Sequence, residues 1–139
     1  MAENVHELRP KPADSDKITV KLGFIDLGRM DLLVRDGFYS NRADFIRTAI
    51  RSHLERHEET VRQSVSRRQL TLGLSHLTRK DLEAARDAGA PMHIQALGLV
   101  SIAADVTPEL ARAAIASVQV LGAFQASAAV KAALADRIS

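Results

Sequence analysis

Lys17-Ile18-Thr19-Val20-Lys21-Leu22-Gly23, followed by Gly37-Phe38-Tyr39-Ser40-Asn41-Arg42-Ala43-Asp44-Phe45-Ile46-Arg47, decides the fold of this chain. In the first run Ile18, Val20 and Leu22 fall on one face and Lys17, Thr19 and Lys21 on the other, the period of a half-buried β-strand. One strand this short is not stable alone. No second strand follows before two helical patterns, so the simplest partner is the same strand of another copy. The sequence therefore predicts an obligate homodimer on a two-stranded antiparallel ribbon, aliphatic inside and polar outside.

After the strand, Leu27, Met30, Leu33 and Val34 form the stripe of an amphipathic helix that breaks at Gly37. A second helix starts at Asn41, a good cap, with Asp44 three places on in capping-box spacing and Ile46, Ala49, Ile50 and Leu54 as its apolar stripe. The free amides around Asn41 and Arg42 make a site for an anion, and a phosphate is the obvious one. The stripe continues through His57 or Glu58, Val61 and Val65, which extends the second helix to about Ser66. Arg62, Arg67 and Arg68 near its end read first as cations opposing the negative end of the helix dipole.

A two-stranded ribbon fits the major groove of DNA, and at this point the residues carry a resemblance. The span from Ile18 to Leu54, with Ile-Thr-Val-Lys-Leu, a helix, then Gly-Phe-Tyr-Ser-Asn-Arg-Ala-Asp-Phe-Ile-Arg, resembles the ribbon-helix-helix DNA-binding proteins of the MetJ/Arc/CopG type. The resemblance implies that the outward strand residues Lys17, Thr19 and Lys21 read base edges. It also implies that the start of the second helix, Ser40, Asn41 and Arg42, clamps backbone phosphate. The chain departs from the family pattern after the strand, where Gly23, Phe24 and Ile25 replace the usual proline or polar turn. The two apolar side chains suggest either a turn covered by the C-terminal half or a slightly longer strand.

The rest of the chain is read against this core. With 139 residues, 46% hydrophobic and only 4% aromatic, its interior must be mainly Ala, Val, Leu and Ile. There is no cysteine, which removes disulfides and thiolate metal sites. No apolar run is long enough to cross a bilayer and no signal-peptide pattern appears, so a cytoplasmic location without membrane contact is expected. A net charge of +2 is too small to mark a nucleic-acid binder by itself. Its distribution helps: Met1 to Gln69 holds 13 basic and 11 acidic residues, and Leu70 to Ser139 holds 6 of each. Electrostatic affinity would come from a local patch made by two copies. Residues 1–16, with Pro10, Pro12 and mixed charge, read as a disordered arm.

Beyond Leu70 the composition shifts to Ala, Leu and Val, and Leu72-Gly73, Leu97-Gly98 and Leu121-Gly122 recur 25 and 24 places apart. Ile94-Gln95-Ala96-Leu97-Gly98 matches Val118-Gln119-Val120-Leu121-Gly122, Val106 matches Val130, and Leu110 matches Leu134. Each unit of about 24 residues reads as a short strand, a turn and one or two turns of helix, and units of this kind bury their faces only by stacking. Three parallel strands with helices alongside are expected. Thr107-Pro108-Glu109 marks a helix start, capped by Thr107 or Asp105. The edge from Val118 to Phe124, with no unit after it, is an expected assembly surface.

His53 and His57 stand at i, i+4 on one helix face, but without a third ligand nearby they read as dimer-interface residues, so no metal and no cofactor is expected. No motif for nucleophilic or acid–base catalysis is present, and no enzyme activity is expected. The fold class is thus α+β: a ribbon-helix-helix domain over 17–69 with an extended second helix, then a strand/helix repeat domain over 70–139. Together with the resemblance this points to a regulator, a repressor, that binds double-stranded DNA as a homodimer, with a higher oligomer or a protein partner engaged through the C-terminal domain. The alternatives are an antitoxin-like protein or an assembly scaffold whose C-terminal repeat binds another protein.

Overall fold

A computed structural model describes residues 15–139, so the expected N-terminal arm lies almost wholly outside the described residues. These form two compact units, one spanning Asp16–Ser64 and the other holding Val65–Ser139. Among the described residues three helices come first and strands then alternate with helices, a mixed composition described as an α+β fold.

In the first unit Lys17 to Gly23 belongs to no helix and, among the described residues, pairs with no strand. Helix α1 (Phe24–Arg35) begins directly after Gly23. Phe24 and Ile25 are therefore its first two residues, and at 91% and 75% exposure neither sits in a covered turn. Gly37 ends the helix at φ 87°: its N–H reaches Val34 O (3.1 Å) and the Phe38 N–H reaches Leu33 O (3.0 Å). This paired closure needs a left-handed residue, which glycine supplies without a Cβ clash. Helix α2 (Arg42–Arg56) starts five residues later, its entry fixed by an edge-to-face contact between Tyr39 and Phe45 with centroids 5.0 Å apart.

The second helix, expected as one element to about Ser66, is broken at His57. The His57 N–H turns back to Leu54 O (3.0 Å), and α3 (Glu58–Arg68) restarts with Val61 N–H on His57 O (2.9 Å). The charges explain the break. His53 and Arg56 lie in the last turn of α2, and Glu58 and Glu59 in the first turn of α3, so each helix end meets the charge its dipole favours. Arg62 is paired back to Glu59 at 2.7 Å.

Within Asp16–Ser64 only Met30 is buried, at 4% exposure. Leu32, Ile50 and Leu54 stand 59%, 46% and 59% exposed. One buried methionine is not a hydrophobic core, and a monomer that leaves this many aliphatic side chains in water is incomplete.

The second unit has its own core. Strands β1 (Thr71–Leu77), β2 (Met92–Ile102) and β3 (Ile115–Gln125) form a parallel sheet in the order β1-β2-β3. Helices α4 (Arg79–Asp87), α5 (Pro108–Ala114) and α6 (Ala128–Ala133) follow the strands one by one. Each helix is capped by a hydroxyl: Thr78, Thr107 and Ser127 accept from the amides of Asp81, Leu110 and Val130. Of the two caps the sequence left open at the second of these starts, Thr107 is the one used in α5. Leu72, Leu97 and Leu121 share one register row, and Gly73, Gly98 and Gly122 the next. Helix residues Leu82, Leu110, Ala111, Ala114, Val130 and Leu134 close over strand residues Ile94, Ala96, Val100, Ile102, Ile115 and Val118. Full burial of each large aliphatic side chain stabilises by about 1.5–3 kcal/mol.

The chain end folds back on the sheet. Ile138 bridges Val118 in parallel, with Val118 N–H donating to Arg137 O and Ser139 N–H to Val118 O, both at 2.9 Å. Arg112 holds this turn, bidentate on Asp136 (2.8 and 3.1 Å) and bonded to Ala133 O, while Arg137 donates to Ile115 O. The edge expected to be open from Val118 is thus occupied at Val118, because these hydrogen bonds give the last residues a strand to pair with.

Candidate nucleic-acid interface

Lys17, Thr19 and Lys21 are exposed, as is every described residue from Ser15 to Asp26. Between them Ile18, Val20 and Leu22 are exposed by 76%, 67% and 42%. Polar and aliphatic side chains alternate along a segment whose backbone groups have no strand partner. Such a segment is stable in water only when its apolar face and its ladder are both completed.

The start of α2 is built reciprocally. Asn41 Oδ1 accepts from the Asp44 N–H (2.8 Å), and Asp44 Oδ2 accepts from the Ser40 N–H (2.9 Å). The first intrahelical bond runs from Phe45 N–H to Asn41 O. The amides of Arg42 and Ala43 lie between, at the first and second helical positions, where a helix has no internal acceptor. They are the donors available to an anion, supported by the positive end of the dipole. The Ser40 amide is already engaged.

Arg42 has a different task from the one its position suggests. Its guanidinium is bidentate on Asp31 of α1, Nε to Oδ1 at 2.7 Å and Nη2 to Oδ2 at 2.8 Å. This fork holds the Asp31 carboxyl below the ordinary carboxylate value, first through the hydrogen bond and then through its charge, and raises Arg42 in turn. The side chain braces α1 against α2 through Nε and Nη2, with its charge set against the Asp31 carboxylate. Sequence reasoning missed Asp31 because it stands eleven positions from Arg42 and is brought there only by the turn at Gly37.

His53 and His57 stack edge-to-face at 5.1 Å, both exposed, and among the described residues no three His, Cys, Asp or Glu side chains gather to hold a metal. In the other unit two histidines bond serines on neighbouring strands: His76 Nδ1 to Ser101 Oγ at 2.7 Å, and His93 Nδ1 to Ser117 Oγ at 2.8 Å. Both are cross-strand ties between β-sheet positions.

Among the described residues no helix is long and apolar enough to cross a membrane. The ribbon-helix-helix transcriptional regulator family matches the chain over residues 13–131, which covers the extended segment, the three N-terminal helices and most of the second unit. No curated protein and no solved structure matches it.

Proposed function

The chain belongs to the ribbon-helix-helix transcriptional regulator family, and from that premise we propose that two copies pair their Lys17–Gly23 segments into an antiparallel ribbon that reads the DNA major groove. The observation that carries this reading is the alternation of exposed Ile18, Val20 and Leu22 with Lys17, Thr19 and Lys21 on a segment without a strand partner among the described residues. Pairing two such segments buries the six aliphatic side chains and sets six polar ones on the opposite face. The same association covers Ile46, Ile50 and Leu54 of α2, which supplies the core that one copy lacks.

In this complex Lys17, Thr19 and Lys21 meet base edges, where a well-placed side chain discriminates by roughly 1–3 kcal/mol. The amides at Arg42 and Ala43, set by Asn41 and Ser40, grip the flanking phosphates and fix the register of the ribbon in the groove. The protein acts as a repressor by occupying its operator. The Leu70–Ser139 unit, a strand/helix repeat, serves assembly between bound dimers.

The test is fluorescence anisotropy with the DNA upstream of the protein's own coding region and with a random duplex, at several salt concentrations. Wild type is expected to prefer the first, with affinity falling as salt rises. Thr19→Ala, Lys21→Ala together are expected to erase the preference while leaving the salt-dependent general affinity. Equal, weak binding of both proteins to both duplexes would refute the reading. It would favour a scaffold whose well-packed C-terminal unit binds a protein partner.

A further inference from the structure

Among the described residues the C-terminal sheet leaves β1 unpaired on one side and β3 unpaired beyond Val118, and these two edges resemble the two sides of a joint that the sheet already makes twice. At the joint between β2 and β3, a Cβ on Gly122 would collide with the carbonyl oxygen of Gly98. At the joint between β1 and β2, a Cβ on Gly98 would collide with the carbonyl oxygen of Gly73. Each glycine thus presses its Cα on the glycine carbonyl of the preceding strand. Gly73 has the same backbone geometry, φ 132° against 134° and 116°, yet nothing lies within 4 Å of its Cβ position. It is shaped for a glycine carbonyl that no described residue of its own chain provides.

The leucine row says the same thing through burial. Leu97, with a leucine row-mate on each side, is half-buried. Leu72 and Leu121, each with one, are 64% and 48% exposed. None of Thr71 to His76 is even half-buried, although β1 is fully paired to β2 on one side. A parallel edge strand left this open is unusual, because parallel sheets are ordinarily covered.

We propose that β1 of one copy docks in parallel beside β3 of a second copy, with Gly73 against the neighbouring copy's Gly122 and Leu72 against its Leu121. In this register Thr71 stands opposite Val120 and Ser75 opposite Phe124, as Thr71 stands opposite Ala96 and Ser75 opposite Val100 inside the chain. The clasp made by the chain end does not obstruct it. Ile138 occupies β3 only at Val118, two rows before the row where β1 would enter. The contact is heterologous, so one edge of each copy stays free and the assembly extends or closes into a ring. It does not depend on the ribbon, but copies already paired by the ribbon would be joined into larger arrays by it.

The chain has no cysteine, which makes cross-linking clean. Full-length Leu72→Cys and Leu121→Cys are prepared separately, both at exposed positions, and mixed in a reduced and oxidised glutathione buffer, the oxidised form accepting the two thiol electrons. Directly opposed residues on paired strands lie within disulfide reach. The expected result is a 72–121 link between copies in the mixture, found by peptide mass spectrometry, with little linking in either protein alone. Off-register Leu74→Cys mixed with Leu121→Cys should link less. Efficient self-linking of Leu72→Cys would overturn the proposal in favour of an antiparallel β1–β1 contact, and absence of the 72–121 link in the mixture would overturn it outright. Because no DNA is present, failure here leaves the reading of the ribbon untouched.

Discussion

Placing an alanine at each of the three sheet glycines separates backbone strain from close approach. All three have positive φ, so each substitution carries a strain of about 2 kcal/mol. At Gly98 the new Cβ also meets the Gly73 carbonyl oxygen, and at Gly122 the Gly98 carbonyl oxygen, where main chain rather than a flexible side chain must give way. Overpacking of that kind adds about 2 kcal/mol. At Gly73 nothing is met within the chain. For a unit of this size each kcal/mol moves the midpoint by about 4–8 °C, so Gly98→Ala and Gly122→Ala should lower it by roughly 16–32 °C and Gly73→Ala by roughly 8–16 °C. Circular dichroism melts of dilute protein measure this. If Gly73→Ala is as damaging as Gly98→Ala, close approach contributes nothing and the argument from the glycine row fails. If the order holds, Gly73→Ala should in addition weaken association at high concentration, since its Cβ would meet the neighbouring copy's Gly122.

Leu134, fully buried over the sheet, should cost about 2–5 kcal/mol on replacement by alanine, seen as a lower urea midpoint for the C-terminal unit with little change in the slope. Because Arg42 is held by Asp31, Arg42→Ala should leave the salt slope of DNA binding unchanged, whereas loss of a true phosphate contact would reduce it by about one. Asp31, Asp81 and Asp136 are all held below their ordinary value of 3.8, by Arg42, by the Thr78 amide and by Arg112 respectively. In that range the unfolded chain binds more protons than the folded one, so stability rises with pH through it. The contribution is complete above 3.8 and is lost as pH falls through the lower folded values. Asp136→Asn should flatten this acid limb for the C-terminal unit, and an unchanged acid titration of stability would show that the clasp contributes nothing.

Local patterns in the sequence carried much of this structure. The Asn41 cap, the stop at Gly37 and the Thr107 cap depend on neighbours within a few residues, and such signals are readable directly. The family resemblance at Ile18 to Leu54 rested on the same local features. The 25- and 24-residue spacing of the Leu-Gly pairs was visible too, though nothing in it reveals that one glycine presses on the carbonyl of the last. What was not legible depends on distant residues meeting. The Arg42–Asp31 brace exists only because Gly37 turns α2 back towards α1, and no spacing along the chain announces it. The cover on Val118 comes from residues some twenty places on, held by Arg112 and Arg137, and no periodicity announces it. The break at His57 had a local signal in the Glu58-Glu59 pair, but the continuing apolar stripe outweighed it in the reading.

The proposed reading head exists only between two copies, since among the described residues of one chain Lys17–Gly23 has no strand partner. Amide hydrogen exchange of this segment, followed over a series of protein concentrations, tests it most directly. The account predicts slow exchange for Ile18 to Leu22 where chains are paired, becoming fast on dilution, while the amides of β2 stay protected throughout. Exchange of this segment that is fast at every concentration, or protected equally at the lowest, would contradict it.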